Sequence, residues 1–280
     1  MKLRLLTIAL IPLLASAAQA AKDSCFDCHS VVEGTSVVFK DDVHYTNAVS
    51  CAACHGGDAS EDDQNVSMNA DRGFKIRVKR KEMPDYCGRC HSDAKFMRKF
   101  KPQQRTDQLA LYQTGVHGRQ LAAGQTKAAE CVDCHSVHNI RAVSDPLSTV
   151  HPQNITDTCA KCHAATADLF RKSPHGRVFN SEKRPGCTVC HAGHATEPAT
   201  TAMLTGAKAV CMRCHKAGSD GEKAAAEMAQ LLTRLENAGP GSKEALARAR
   251  IAVHTLDVDA VKQAAAPAEV KESNAKPPEK

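Results

Sequence analysis

Hydrophobic positions recur at helical spacing in two parts of the chain, and elsewhere they are scattered. The first part covers residues 105–114, RTDQLALYQT, and ends ahead of a glycine. The second covers residues 221–238, GEKAAAEMAQLLTRLENA, where apolar side chains lie three or four positions apart. The run Gly-Pro-Gly at 239–241 breaks the pattern, and Ser242 is placed to cap a second helix. These signals predict a C-terminal helical hairpin over residues 221–264.

Strand signals are weak along the whole chain. The segment 74–80, FKIRVKR, alternates apolar and charged residues, but its charges favour an exposed ribbon at best. Loops with Gly, Pro and Asn fill most of the remaining sequence. The pattern therefore predicts a mainly α protein with extensive irregular loops and little β structure.

The two ends of the chain differ in character from its body. Residues 1–20 carry Lys2, Arg4, a short apolar run and a small-x-small site ending at Ala20, which is the pattern of a secretory signal peptide. The apolar run is shorter than the ~20 residues that a membrane span needs. We therefore expect an exported protein, periplasmic or extracellular, without a transmembrane span in the mature chain. Residues 265–280 are polar and proline-rich, which predicts a disordered tail.

The composition provides little ordinary core material for a chain of 280 residues. There is no tryptophan, and aromatic residues make up 4% of the chain. Cysteine and histidine each occur 14 times, far above their usual frequency. Something other than large apolar side chains must therefore fill the interior, and the cysteines indicate what it is.

Every cysteine belongs to a C-x-x-C pair that is followed at once by histidine. C-x-x-C-H is the attachment signature of c-type haem, in which two thiols bind the vinyl groups and the adjacent imidazole binds the iron as proximal ligand. Zinc ribbons and structural disulfides do not require that histidine, and thioredoxin-like motifs occur singly. We therefore predict seven covalently bound haems c that form much of the core. Their cysteines are Cys25 and Cys28, Cys51 and Cys54, Cys87 and Cys90, Cys131 and Cys134, Cys159 and Cys162, Cys187 and Cys190, and Cys211 and Cys214. Their proximal histidines are His29, His55, His91, His135, His163, His191 and His215.

The histidines that remain match the proximal ones in number, which predicts two imidazole ligands for each iron. They are His44, His117, His138, His151, His175, His194 and His254. His117 and His175 lie in a repeated H-G-R, and His44 closely precedes the second motif. His138 and His194 each follow a proximal histidine by three residues. So short a chain does not reach the opposite face of the same haem, and each is expected to serve a neighbouring one.

His151 and His254 are the less distinctive candidates. His151 lies in a loop with Pro and Asn ahead of the fifth motif. His254 shares an apolar helical face with Ile251 and Val258, a position that also suits a packed side chain, and the histidine count favours ligation. Methionine is the alternative sixth ligand, and it would raise the potential of its haem. The methionine candidates are Met203, Met212 and Met228.

The motifs are organised as an internal repeat. A unit of two motifs joined by a linker with a spare histidine occurs three times, at 25–55, 87–135 and 159–191. The seventh motif, 211–215, follows alone. We predict one haem-packed domain over residues 21–220 that grows by repetition of a two-haem module, with each proximal histidine ending a short helix.

The charge of the protein changes once haem is included. The formal net charge is +6, and loss of Lys2 and Arg4 with the signal peptide leaves about +4. Seven haems would add fourteen propionates, which brings the holoprotein to roughly −10. The basic sequence is therefore no argument for nucleic-acid binding. The cationic run 75–81, KIRVKRK, suits either an acidic redox partner or the neutralisation of nearby propionates.

The chain resembles multihaem c-type cytochromes with doubled C-x-x-C-H motifs, which include low-potential tetrahaem cytochromes and periplasmic electron-transfer cytochromes of metal- and anion-respiring bacteria. The resemblance covers residues 25–215, and its most specific pieces are LYQTGVHG (111–118) with CVDCHSVHNI, and SPHG (173–176) with CTVCHAGH. It implies distal roles for the histidines of the V-H-G and P-H-G segments, and for His254 in a late helix. It also implies electron transfer between a membrane quinol dehydrogenase and a terminal reductase or outer-membrane conduit.

Electron transfer through bis-histidine haems in anaerobic respiration is therefore the expected function, with any membrane contact peripheral. Two alternatives stay open: a reductase of a small nitrogen or sulfur oxyanion at one five-coordinate haem, and a subunit of an extracellular cytochrome filament. The C-x-x-C-K marker of the related pentahaem nitrite reductases does not occur. Tyr45, Tyr86 and Tyr112 show no clear match to the cross-linked tyrosine of hydroxylamine-oxidising relatives. Catalysis thus lacks its best sequence marker.

Overall fold

A computed structural model describes residues 23–31, 39–181, 184, 186–206 and 209–266. The predicted signal peptide lies outside these residues, and so does the predicted tail beyond its first two positions. Within the described ranges there is no β-strand, which confirms the mainly α prediction with irregular loops. No helix in these ranges is long and apolar enough to cross a membrane.

The helices of the described part are mostly short and closely follow the cysteine motifs. In chain order they are α1 (Ser24–His29), α2 (Val43–Thr46), α3 (Cys51–His55), α4 (Gln64–Ser67), α5 (Met83–His91), α6 (Ala94–Met97), α7 (Gln108–Thr114), α8 (Val116–Ala122), α9 (Cys131–His135), α10 (Ile155–Lys172), α11 (Pro174–Ser181), α12 (Gly186–His191), α13 (Asp220–Asn237), α14 (Lys243–Ala252) and α15 (Val258–Ala265). Short 3₁₀ helices cover Phe39–Asp41, Ala70–Arg72, Arg80–Glu82, Thr201–Met203, Cys211–Arg213, Pro240–Ser242 and Val253–Thr255.

The helix that carries each motif ends at its proximal histidine in five of the seven cases, as expected. These helices are α1, α3, α5, α9 and α12. The fifth motif is different, because α10 continues beyond His163 after a kink at that residue, where φ is −111° and ψ is 44°. The sequence Ala-Ala-Thr-Ala follows His163 and contains good helix formers, so nothing stops the helix there. The last motif forms only a 3₁₀ turn, Cys211–Arg213.

The described residues fall into two compact units, and the first contains 23–31 and 44–76. Asp23 organises its two motifs. One carboxylate oxygen of Asp23 caps α1 by accepting from the Phe26 amide at 3.3 Å, and the other accepts from the Cys51 amide at 3.2 Å. The start of the first motif is thereby tied to the start of the second.

The second unit contains 39–43 and 77–266 of the described residues, and its apolar core lies at its C-terminal end. Leu232 on α13, Ala249 on α14 and Val261 on α15 are buried in one hydrophobic cluster. The predicted hairpin is present as α13 and α14, and α15 packs as a third helix against both.

Ser242 was expected to cap α14 through its side chain, and this prediction is wrong. Ser242 does precede α14, but its side chain makes no capping hydrogen bond there. The hydroxyl instead donates to the carbonyl oxygens of Leu235 at 2.6 Å and Gly239 at 2.7 Å. The serine therefore closes the end of α13, because the carbonyls left without partners at that helix end are within its reach.

The motif-rich part of the second unit has little apolar core of its own. Beyond the C-terminal cluster, the buried apolar side chains among the described residues are Leu121, Ile155, Ala167 and Met203. Polar contacts connect the motif helices instead. Arg80 binds the carboxylate of Asp133, inside the fourth motif, and donates to the Ala128 carbonyl at 2.8 Å. Ordinary hydrophobic packing thus accounts for the C-terminal helices but not for the region that carries the motifs.

Candidate metal centres

The first thiols of the two motifs interact with each other in each predicted module. In the second module the first thiols of the two motifs, Cys87 and Cys131, hydrogen-bond to each other. In the third module Cys159 and Cys187 do the same. In the first module Cys51 interacts electrostatically with Cys25. The repeat read from the sequence therefore corresponds to a repeated spatial pairing of motifs.

Electrostatic interactions between thiols link successive modules. Cys134 of the fourth motif interacts with Cys159 and Cys162 of the fifth, and Cys190 of the sixth interacts with Cys211 and Cys214 of the seventh. The motifs of the second unit therefore form one row in sequence order, from the third to the seventh. We call this arrangement the motif row.

Four pairs of imidazole rings bring a predicted proximal histidine opposite a predicted distal one. Their centroid separations are 5.9 Å for His135 and His194, 6.3 Å for His163 and His117, 6.0 Å for His191 and His254, and 5.7 Å for His215 and His175. In the same order, the angles between the ring planes are 11°, 37°, 19° and 66°. All four pairs lie in the second unit.

These separations fit an iron held between the two rings. A bond from a metal to an imidazole nitrogen is about 2 Å long, and the ring centroid lies roughly 1 Å beyond that nitrogen, so two rings on opposite faces of one iron have centroids about 6 Å apart. Aromatic rings also pack without a metal at about 4.5–7 Å. The identity of the paired residues is stronger evidence for iron binding than the distance between their rings, because each of the four pairs joins a motif histidine to a histidine outside the motifs.

Six of the eight paired imidazoles have a lowered pKa, which favours the neutral form that binds a metal. Burial, followed by the charges of His194 and His91, lowers the pKa of His135 to about 4. Burial is also the main cause of the lowered pKa of His191 and of His254. The protonated form is disfavoured because the charge would lose its hydration in these positions.

Backbone carbonyls orient several of these rings. The Nδ1 atom of His55 lies 2.9 Å from the Lys75 carbonyl oxygen, and that of His254 lies 3.1 Å from the Ile251 carbonyl oxygen. The ring of His191 hydrogen-bonds to the backbone of Glu197. A donated Nδ1–H leaves Nε2 available for a metal and makes the imidazole a stronger donor.

The repeated H-G-R segments form the same helix corner twice. Gly118 packs against the last turn of α7, where a β-carbon would overlap the Tyr112 carbonyl oxygen, and Gly176 has the same relation to the Phe170 carbonyl oxygen on α10. Glycine is required at such a close approach because it has no side chain.

The arginine of each H-G-R segment completes the corner. Arg119 donates to the Thr114 carbonyl, five residues earlier, and Arg177 donates to the Lys172 carbonyl at 2.8 Å with the same spacing. Both carbonyls lie at the end of the preceding helix, where they have no partner within it. The sequence singled out the histidines of these segments but not the roles of glycine and arginine, although the repetition of all three residues was the available signal.

A second local repeat marks the second motif of each module. The residue after the proximal histidine has a positive φ at Gly56 (69°), Ser136 (72°) and Ala192 (61°). At the first motif of the first two modules, the corresponding residues Ser30 and Ser92 are in the right-handed helical region. The two motifs of a module therefore leave their haem-binding helix in different directions.

The other predicted distal ligands occupy less defined surroundings. His44 lies in α2, and its carbonyl oxygen accepts from the Val49 amide at 2.8 Å. His138 has a positive φ of 58°, and its ring centroid lies 6.1 Å from that of Phe39. The Nδ1 atom of His151 accepts from the Gln153 amide at 3.3 Å. Their ligation stays a prediction.

The methionine candidates differ in burial. Met228 is 3% exposed and belongs to the hydrophobic cluster of the C-terminal helices, and Met203 is also buried. Met212, in the last motif, is an exposed side chain. Imidazole rings, and not these thioethers, lie opposite the fourth to seventh motif histidines.

Comparison with known proteins gives two family matches. The sequence matches the family described as cytochrome c3 over residues 43–164. It matches the family described as cytochrome c554 and c-prime over residues 13–56 and 158–239. No curated protein and no solved structure matched the chain. The two family matches together span all the C-x-x-C-H motifs.

Proposed function

Because the chain is a multihaem c-type cytochrome related to the tetrahaem cytochromes, we propose that it carries seven haems c and transfers electrons in anaerobic respiration. The observation that supports this function most is the set of four imidazole pairs. An iron with two imidazole ligands has no position left for a substrate, so it exchanges electrons only.

The chain's own residues hold and orient the cofactor. When bound, each haem supplies an iron that changes between the ferric and ferrous states. The fourteen motif cysteines are proposed to form its thioether bonds, and the seven motif histidines its proximal bonds. His117, His175, His194 and His254 are proposed as distal ligands on the basis of the ring pairs, and His44, His138 and His151 on the basis of the histidine count.

The motif row supports electron transfer from haem to haem, rather than storage of electrons at isolated haems. Neighbouring motifs touch through their thiols, as Cys131 does with Cys87 and Cys159 with Cys187. Cofactors anchored by touching cysteines lie close enough for electrons to pass between them. Two imidazole ligands and partial exposure to solvent favour low potentials throughout the row.

The proposed location is the periplasm, with export directed by the sequence before residue 21. The proposed partners are redox proteins, a quinol dehydrogenase as donor and a terminal reductase or outer-membrane conduit as acceptor. Families of this kind exchange electrons with other redox proteins, which supports partners of this class.

The competing function is a reductase in which one haem iron lacks a sixth ligand. From the sequence, the main candidate for such an iron is the one whose distal ligand would be His254. The ring of His254 lies 6.0 Å from that of His191 with an angle of 19° between the planes. That placement supports ligation and favours the carrier over the reductase.

The proposal is tested on the purified, exported holoprotein. Pyridine haemochrome should give seven haems per chain, and EPR of the ferric protein should show low-spin iron only. A high-spin signal equivalent to one iron would contradict the pure carrier, and a lower haem count would contradict the assignment of all seven motifs.

A further inference from the structure

The last motif of the row differs from the others in the relation of its two rings. The planes of His175 and His215 make an angle of 66°. The corresponding pairs of the fourth and sixth motifs are close to parallel, at 11° and 19°. The iron of the last motif would therefore be held by imidazoles that are closer to perpendicular than to parallel.

Gly221 is in direct contact with the proximal ring of this pair. It is the second residue of α13, whose first turn packs on the face of the His215 imidazole. A β-carbon on Gly221 would lie 2.7 Å from Cγ of His215 and closer still to Nδ1 and Cε1. The absence of a side chain at this position lets the helix backbone approach the His215 ring closely, so a side chain there would have to displace the ring.

Among the described residues, the hydrogen bonding of His215 differs from that of His55 and His191 but matches that of His135 and His163, for whose rings no hydrogen-bond partner is found either. His55 and His191 each bond to a backbone group through the ring, at Lys75 and Glu197. For His215, no hydrogen-bond partner of the ring is found among residues 39–181, 184, 186–206 and 209–266 of the described chain. An imidazole that does not donate to a carbonyl is less electron-rich and stabilises the ferric state less.

The angle between two axial imidazoles acts on the same balance. The iron has two d orbitals of π symmetry that can interact with the axial rings. Parallel rings both interact with the same one of these orbitals, so the two orbitals differ in energy. This difference stabilises the ferric ion, which has one unpaired electron in these orbitals. Perpendicular rings interact with one orbital each and leave the two nearly equal in energy. In the ferrous ion both orbitals are filled, so a difference in their energies brings no stabilisation. Perpendicular rings therefore remove a stabilisation of the ferric state only, and they favour reduction.

We propose that Gly221 is a positioning residue that sets the plane of His215, and that it thereby makes the iron of the last motif the most readily reduced in the motif row. This inference rests on the proposed electron-transfer function. Electrons that enter the row would then collect at its C-terminal end, beside α13.

EPR combined with stepwise reduction of the holoprotein tests the proposal. The fully ferric protein should show a strongly anisotropic low-spin signal with a large maximal g value, equivalent to one iron, beside the rhombic signals of irons with parallel rings. During reduction this signal should disappear before the rhombic signals of the row. A large-g signal that disappears last would overturn the proposal.

Three variants assign the signal and its cause. Gly221→Ala should change the g values of this signal and delay its reduction, since the ring must turn away from the added β-carbon. Gly241→Ala is the matched control, because a β-carbon there meets nothing within 4 Å, and it should leave the signal unchanged. His175→Met, in which Gly221 is retained, should abolish the signal, and its survival would show that another iron produces it.

The outcomes also separate this inference from the proposed function. If all irons are low-spin but none gives a large-g signal, or if Gly221→Ala leaves that signal unchanged, the carrier stands and the role of Gly221 is refuted. If a high-spin iron equivalent to one haem is found, the carrier itself is refuted.

Discussion

His254 and His191 face each other although they are far apart in the sequence, with ring centroids 6.0 Å apart. His254 lies in the 3₁₀ turn Val253–Thr255 between α14 and α15, where its Nδ1 atom is held by the Ile251 carbonyl at 3.1 Å. From the sequence, the same histidine was equally compatible with a packed position on an apolar helical face. The turn between the helices, which local periodicity does not reveal, points the ring at the sixth motif.

Replacing His254 with alanine should convert one low-spin haem into a high-spin haem. The sixth-motif iron would keep His191 and lose the opposite imidazole, so EPR should show a high-spin signal of one iron and carbon monoxide should bind to one ferrous haem. Glu244→Ala, an exposed change on α14, should produce neither effect. An unchanged low-spin spectrum in His254→Ala would exclude His254 as the ligand.

Gly118 provides a second test at the scale of single residues. Gly118→Ala should destabilise the protein by about 1–3 kcal/mol, because the added β-carbon would overlap the Tyr112 carbonyl and force α7 and α8 apart. The better helix propensity of alanine, worth about 1 kcal/mol, acts in the opposite direction. The free energy of unfolding from guanidinium titration measures the net effect. Gly241→Ala should change that free energy little, and equal effects of the two variants would contradict the close-approach role.

The histidines three residues after a motif show the limit of sequence reasoning at this scale. Chain length predicted that His138 and His194 would serve a neighbouring haem. The structure pairs His194 with His135, the proximal histidine of an earlier motif. Spacing excluded the local haem, but the choice of neighbour depends on how the modules pack, which is a property of the fold.

At the scale of elements, helix ends were easier to predict than helix continuations. The helix predicted over 105–114 is present as α7, which ends before Gly115 as expected. The hairpin pattern of the C-terminal region was also readable, because apolar residues at helical spacing must be buried. The continuation of α10 through the fifth motif was missed, since the haem-binding motif was assumed to end its helix. The third helix, α15, was merged with the hairpin because the turn at His254 carries no glycine or proline.

The C-terminal helices position His254, a proposed ligand, and a core substitution should therefore affect the sixth-motif iron. Leu232→Ala should cost about 2–5 kcal/mol of stability, because Leu232 is 3% exposed within the cluster that joins α13, α14 and α15. The turn that carries His254 connects two of these helices, so a fraction of the sixth-motif iron should become high-spin on heating, below the temperature of haem loss. Thermal unfolding and EPR measure the two effects. Thr233→Ala, an exposed neighbour on α13, should change stability by less than about 0.5 kcal/mol.

At the scale of the whole molecule, seven bound haems would reverse the net charge that the sequence suggests. The sequence has an isoelectric point of about 8.6, but seven haems would add fourteen ionised propionates. Isoelectric focusing of the mature holoprotein should therefore give a value in the acidic range. The net charge at neutral pH would be roughly −10 with all irons ferrous and roughly −3 with all irons ferric, because each ferric haem core carries one positive charge. A basic value for the fully loaded protein would show that the propionates are largely protonated or that fewer haems are bound.

The motif row predicts that one haem in its middle connects the two ends. The fifth motif lies between the fourth and the sixth, because Cys162 interacts electrostatically with Cys134 and Cys159 hydrogen-bonds to Cys187. Replacing Cys159 and Cys162 with alanine should remove that haem and leave its neighbours attached, which the haem count and the remaining low-spin signals would establish.

Flash reduction with less than one electron per molecule then measures the connection. The wild-type protein should redistribute the electron in one fast phase that is independent of protein concentration. The double variant should add a slow phase that speeds up with concentration, because electrons must then pass between molecules to reach the other end. Replacing Cys211 and Cys214 removes the end haem instead and should keep the single fast phase, since the remaining row is unbroken. A single fast phase in both double variants would mean that electrons bypass the fifth motif, and the linear order of the row would then be wrong.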